Sequence, residues 1–210
     1  MKIAVLGPGR VGRALGTVAA TKGHPVVLGV RDTRSDSTRA ALDAIPGSTA
    51  LAIDDAAAQA DLSLLTVPWS VAEATVGQLI GGTVVVDCTN PVAAGMRHAV
   101  GDRSGAEVLA AANPAVTVVK AFNVYGVENL GAPDFGSVPG MLPVAGDDTD
   151  AKRRVADLAT SMGWSPLDVG PLSLALQLEH LALLWIHMVR VQGRPARFVW
   201  TQHTGQDRTG

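Results

Sequence analysis

Six residues near the start of the chain, Gly7-Pro8-Gly9-Arg10-Val11-Gly12, have the types and spacing to hold a diphosphate. In a G-x-G-x-x-G loop the first glycine permits a tight turn. The second lets the main chain approach the anion, and the third lets a helix pack close to a strand. The free N–H groups and dipole of the helix that follows favour negative charge. With 23 glycines in the chain, the pattern alone is a weak signal. Its context strengthens it, because it directly follows an apolar run, Ile3–Leu6, and opens a helical pattern.

The next chemistry-bearing residues stand some twenty positions on, in Val30-Arg31-Asp32-Thr33-Arg34. Where such loops bind dinucleotides, an acid here holds the ribose 2′-hydroxyl of NAD, whereas an arginine accommodates the 2′-phosphate of NADP. Arg31 comes first, and its fork can bind phosphate while its plane stacks on adenine. Arg34 can add a second charge. Asp32 keeps the NAD-type alternative open, its other role being to begin or cap the next helix. The residue order favours NADP(H).

Three further segments are expected at the ends of strands, where open α/β sheets hold their ligands. In Thr66-Val67-Pro68-Trp69, Pro68 stops strand pairing and Trp69 offers a flat apolar surface, either to a cofactor or as a cap on the core. In Asp87-Cys88-Thr89-Asn90-Pro91, Asn90 can hydrogen-bond a ribose or carboxamide, although Asn90-Pro91 is also a turn signal. In Lys120-Ala121-Phe122-Asn123, Asn123 and Lys120 could face a substrate, or Lys120 could simply pair with a carboxylate. Trp69, Asn90 and Asn123 are the residues expected to position the reactants. Cys88 reads as a small buried residue, since no basic partner is visible nearby in sequence. The five histidines show no metal-ligand spacing, and no metal is expected.

The elements that must carry these residues alternate in type. Apolar runs of strand length, Lys2–Leu6, Pro25–Val30, Thr49–Ala52, Leu62–Val67, Thr83–Asp87 and Val116–Lys120, are near-continuously hydrophobic, as strands buried on both faces are. Helical patterns fill most gaps, at Val11–Thr21, Ser37–Ala44, Asp54–Gln59, Val71–Leu79 and Gly105–Ala111. The fold class expected is α/β, a Rossmann-type doubly wound, mainly parallel sheet. Residues 1–130 form its dinucleotide-binding domain. Residues 131–210 form a small α/β extension: a Gly/Pro-rich loop at Gly131–Gly140, a strand at Met141–Ala145, a helix at Thr149–Met162, a strand at Ser165–Val169 and a long helix at Leu172–Val191. That last helix is apolar over more than one stripe, which suggests burial against a second subunit, a homodimer; the alternative is packing on its own sheet.

Composition narrows the classes. With 47% hydrophobic and 17% charged residues there is ample core material, and disorder is expected only in the last few positions. A net charge of −2 without a basic run predicts no nucleic-acid or anionic-membrane partner. One cysteine excludes an intramolecular disulfide. Met1-Lys2 runs straight into the first strand without a signal-peptide pattern, and Leu174–Val191 is interrupted by Gln177, Glu179, His180, His187 and Arg190. A cytoplasmic protein is expected.

Ile3–Gly12, Gly29-Val30-Arg31, Val67-Pro68-Trp69, Val86–Pro91, Val119–Asn123, Pro143–Asp148 and Pro166–Glu179 together resemble the NADPH-dependent coenzyme F420 (deazaflavin) oxidoreductases, a family sharing a domain type with the cytosolic part of STEAP metalloreductases. The stretch Pro166-Leu167-Asp168-Val169-Gly170-Pro171-Leu172 is the most specific of these. The resemblance implies hydride transfer between NADP(H) and a flavin-like acceptor, F420 or another flavin, stacked at the sheet edge, and a dimer. Such transfer needs orientation more than acid–base help. The residues expected to bind the cofactor are Gly7, Pro8, Gly9, Arg10, Val11, Gly12, Val30, Arg31, Arg34, Val67, Pro68, Trp69, Asn90 and Pro91. Two positions depart from the family's pattern: Val30, where a serine often precedes the arginine, and Leu176, where an arginine often stands. A reductase of another small acceptor, such as a ferric complex, carbonyl or imine, and a non-catalytic NADP(H) sensor remain alternatives.

Overall fold

The computed structural model describes residues 1–203; the last seven residues of the C-terminal extension, where terminal disorder is expected, lie outside the described residues. Six strands, β1 (Ile3–Leu6), β2 (Val26–Gly29), β3 (Thr49–Leu51), β4 (Leu62–Leu65), β5 (Val84–Asp87) and β8 (Thr117–Lys120), are parallel and lie in the order β3-β2-β1-β4-β5-β8. A short antiparallel hairpin, β6 (Val92–Ala93) with β7 (Arg97–His98), stands outside the sheet. Beyond residue 130 the chain extends the same sheet. Strand β9 (Met141–Gly146) runs antiparallel to β8, and β10 (Ser165–Gly170) runs parallel to β9.

Alternation along each strand explains its unbroken hydrophobicity. Ile3 and Val5 join one buried cluster, with Leu15 of helix α1 (Arg10–Thr21), Ala41 of α2 (Asp36–Ala44) and Val155 of α7 (Thr149–Ser161). Ala4 and Leu6 join the other, with Ile53 of α3 (Ile53–Ala58), Val76 of α4 (Trp69–Gly77) and Leu109 of α5 (Gly105–Ala112). A single turn, α6 (Val127–Leu130), precedes the Gly/Pro-rich loop.

The last helix settles on its own sheet. After a 3-10 turn at Leu172–Leu174, α8 (Ala175–Arg190) gives Ala175 and Leu178 to one cluster and Trp185 and Val189 to the other. By length and composition Leu172–Arg190 could cross a membrane, but these side chains are buried within the chain. Leu184 and Val191 remain exposed.

Two features were not foreseen. The β6–β7 hairpin has strands of two residues and turns through Gly95 and Met96, both at positive φ, too short to register as a period. Helix α6 is a single turn. Elsewhere the element bounds shift by a residue or two, as at α4, where Trp69 opens the helix with Pro68 as its N-cap.

Candidate functional site

The chain leaves β1 for β2 and β3 on one side and returns to β4 on the other, so the sheet reverses between β1 and β4, where open α/β sheets form a crevice. The glycine loop sits there. Gly7 has φ +113°, and a Cβ on it would lie 3.0 Å from the Val67 nitrogen. A Cβ on Gly12 would lie 2.1 Å from the Gly7 carbonyl oxygen and 2.7 Å from Thr66 Oγ1. That hydroxyl donates to the Leu6 and Gly7 carbonyls at 3.0 Å, tying β4 to the loop. Gly9 differs: a Cβ there would meet nothing within 4 Å. The open space over Gly9 and the absence of a side-chain cap on α1 suit an anion on the helix N-terminus.

A continuous trench runs along this edge. One cavity of about 340 Å³ is lined by Pro8, Val30, Arg31, Asp32, Ser35, Ser37 and Thr38. It shares Pro8, Val30 and Arg31 with a cavity of about 130 Å³ over Gly7 and Gly9. That one shares Gly9, Thr66, Val67 and Pro68 with a third, of about 440 Å³, lined also by Arg10, Val11, Trp69, Cys88, Thr89 and Asn90. Arg31 also borders a cavity of about 380 Å³ against Ile53, Asp54 and Gln78. A separate cavity of about 450 Å³, between the end of α1 and Pro133–Gly136, shares none of these residues.

At the far end Arg31 is exposed, and three hydroxyl residues, Ser35, Ser37 and Thr38, line the same cavity. These three residues are not among those the sequence singles out. A guanidinium with hydroxyls fits a phosphate monoester. Asp32 is committed locally: its Oδ1 accepts from the Arg34 amide at 2.8 Å and its carbonyl from the Thr38 hydroxyl at 2.8 Å. The N-cap of α2 is Ser35, whose side chain accepts from the Thr38 amide. Arg34 is exposed and does not line the trench.

At the near end Trp69 is half-buried and leans on Gly105, whose Cβ would lie 3.0 Å from its ring. It therefore both caps the core and walls the trench. Asn90 and Asn123 meet. Asn123 Nδ2 donates to Asn90 Oδ1 (2.9 Å) and to the Leu178 carbonyl (3.2 Å), and Asn90 Nδ2 donates to the Asn123 carbonyl (2.8 Å). Only Asn90 reaches the trench; Asn123 is 3% exposed and is bonded behind it. Phe122, just before it, holds a left-handed φ of 59°, costly for a bulky residue and a mark of functional sites. Pro91 is buried at the root of the hairpin, away from the trench lining.

Of the two readings open for Lys120, the structure shows the pairing with a carboxylate. Lys120 does not face a substrate but is fully buried, with Nζ 2.8 Å from Asp87 Oδ2, 2.7 Å from Glu179 Oε1 and 2.7 Å from the Thr89 carbonyl. Burial alone would push its ammonium down, yet Asp87 and Glu179 more than offset this and hold it above 10.5. Glu179 also accepts from the Gly105 amide at 3.0 Å and meets His98 Nε2 at 2.6 Å. Sequence distance hid this group. Cys88 does have a basic neighbour, Lys120, but burial and then the Asp87 charge push its thiol well up, so it stays neutral. Among the described residues no group of three or more His, Cys, Asp or Glu side chains is placed to hold a metal ion.

Residues 2–91, the strands and loops of the trench, match the family described as NADP oxidoreductase, coenzyme F420-dependent. Over these residues the chain is similar to that family. A solved chain from Arthrobacter sp. FB24, to which F420-dependent NADP-reductase activity is ascribed, superposes with a TM-score of 0.84 at 28% identity, covering 97% of this chain and 100% of that one. The protein SMa0349 of Sinorhizobium meliloti superposes at 0.74 with 31% identity, over 83% of this chain and 88% of that one. Rat metalloreductase STEAP3 is 30% identical over 187 residues, which is 87% of this chain; the chain spans about a third of that protein's length, 36%.

Proposed function

We propose that the chain is an NADP(H)-dependent oxidoreductase that moves a hydride between nicotinamide and a flavin-like acceptor, coenzyme F420 first among them. One observation carries the cofactor: Arg31 shares a cavity with Ser35, Ser37 and Thr38 at the end of a trench that opens on Gly9. Arg31, with the Ser35 and Ser37 hydroxyls, would hold the 2′-phosphate, and the first turn of α1 the diphosphate. When bound, NADPH supplies the hydride. Trp69 offers a flat wall, Asn90 a fixed amide, and Cys88 and Thr89 a floor, so the chain's own contribution is orientation and exclusion of water.

The family match and the Arthrobacter chain support F420 as acceptor. Leu176, half-buried in the first turn of α8, stands where relatives often carry arginine and favours a less anionic acceptor as the second reading. An NADPH oxidation assay over a panel of acceptors decides between them. Oxidation is expected with F420, with deuterium from 4-deuterated NADPH kept on its ring carbon, and not with FMN, FAD, ferric complexes, ketones or imines. Oxidation with another acceptor selects the second reading, and NADPH binding without oxidation by any acceptor marks a sensor. Exposed Leu184 of α8 and Val191 just beyond it support a homodimer joined there, in a protein read as cytoplasmic, and sedimentation at micromolar concentration would test the dimer.

A further inference from the structure

The walls of the near end of the trench belong to different elements, and one buried ionic group touches the supports of both. Lys120 Nζ holds the Thr89 carbonyl at 2.7 Å, and Asp87 Oδ1 accepts from the Thr89 amide at 2.9 Å and the Thr89 hydroxyl at 2.7 Å. This fixes the segment that presents Asn90. Opposite, Glu179 accepts from the Gly105 amide through both oxygens, and Gly105 is the residue on which the Trp69 ring rests. The neighbouring Leu178 carbonyl takes the Asn123 amide that orients Asn90. Lys120 joins the two sides by bonding Asp87 and Glu179 together, and His98 closes on the free edge of Glu179.

Such a group is a poor device for stability. Removing charges from water costs several kcal/mol per ion, and apolar replacements of buried pairs are often neutral or stabilising. Here two carboxylates surround one ammonium where a leucine or methionine could pack. Geometry is what the charges add: short, directional bonds that set how far Trp69 stands from Asn90.

Given the hydride transfer proposed above, we infer that Lys120, Asp87 and Glu179, with His98 at the rim, are positioning residues that set the width of the gap in which nicotinamide and acceptor meet. They touch neither reactant and act through Thr89, Asn90 and the Gly105–Trp69 contact. The 2′-phosphate grip lies at the other end of the trench and the diphosphate cradle on the first turn of α1, and none of the four residues lines either. Loosening the group therefore lowers kcat while leaving NADPH affinity in place, because a misplacement of about 1 Å costs on the order of a hundredfold in rate.

The test is a charge-free variant, Lys120→Met with Asp87→Asn and Glu179→Gln, which leaves no lone buried charge. It is expected to fold and to bind NADPH within about twofold of the parent, while kcat falls about tenfold or more. In the protein without ligands, the Trp69 indole resonance, assigned with Trp69→Phe, is expected to shift while those of Trp164, Trp185 and Trp200 stay. Parental kcat with an unmoved Trp69 resonance would overturn the inference. Should this variant not fold, His98→Gln at the rim decides: a lower kcat at unchanged NADPH affinity supports positioning, and parental kcat refutes it. If the parent itself transfers no hydride, the functional reading fails, while the Trp69 shift still reports whether the group sets the gap.

Discussion

Gly9 and Gly12 are both glycines of one loop, yet they are glycine for opposite reasons. A Cβ on Gly12 would collide with the Gly7 carbonyl, so Gly12→Ala should lower stability by about 1–3 kcal/mol, read by urea unfolding. A Cβ on Gly9 would project into open trench, so Gly9→Ala should keep its melting temperature but weaken NADP⁺ binding about tenfold, ~1.4 kcal/mol. Arg31→Ala removes charge-assisted bonds of about 1.5–3 kcal/mol from the extra phosphate alone. It should weaken NADP⁺ far more than NAD⁺ in a fluorescence titration. Cys88, neutral and buried, should react with a disulfide reagent at pH 8 at least about tenfold more slowly in the native chain than in urea. At this scale the glycine loop and Arg31 were legible because their chemistry is local. Ser35, Ser37 and Thr38 were not, since nothing in their order says that α2 turns them toward Arg31.

The elements of the sheet could be read from hydrophobic runs, because burial on both faces leaves a dense local signal. What escaped was the pairing between elements. Asp87 and Lys120 are register partners at the carboxyl ends of adjacent strands, so an ion pair there could have been suspected once the two strands were placed side by side. Glu179 arrives from a helix 59 residues beyond Lys120, and His98 from a hairpin too short to detect. Helix α8 shows the same limit. Its broad apolar surface predicted burial but not against what. The structure spends Trp185 on the chain's own core, 2% exposed and stacked on Phe198 with Nε1 donating to that residue's carbonyl at 3.2 Å. Trp185→Ala should therefore cost about 3–5 kcal/mol, measured by denaturant unfolding at fixed protein concentration.

For the molecule as a whole, three buried groups share one sign. Lys120 is held above 10.5 by its carboxylates against the pull of burial, and burial raises Tyr125 above 10.0 and Cys88 above 9.0. A folded pKa above the unfolded one gives stability that is complete below the unfolded value and is lost as pH rises past it. Stability should thus hold to about pH 9 and decline through pH 11, and the charge-free variant should lose the lysine share of that decline. The global arrangement assembles a phosphate grip, a diphosphate cradle and a reactant gap along one edge of one sheet. Calorimetric titration of the purified chain with NADP⁺ and with NAD⁺ tests this most directly. NADP⁺ should bind about tenfold or more tightly than NAD⁺, the preference expected of charge-assisted bonds to one added phosphate. Equal affinities, or no heat with either dinucleotide, would contradict it.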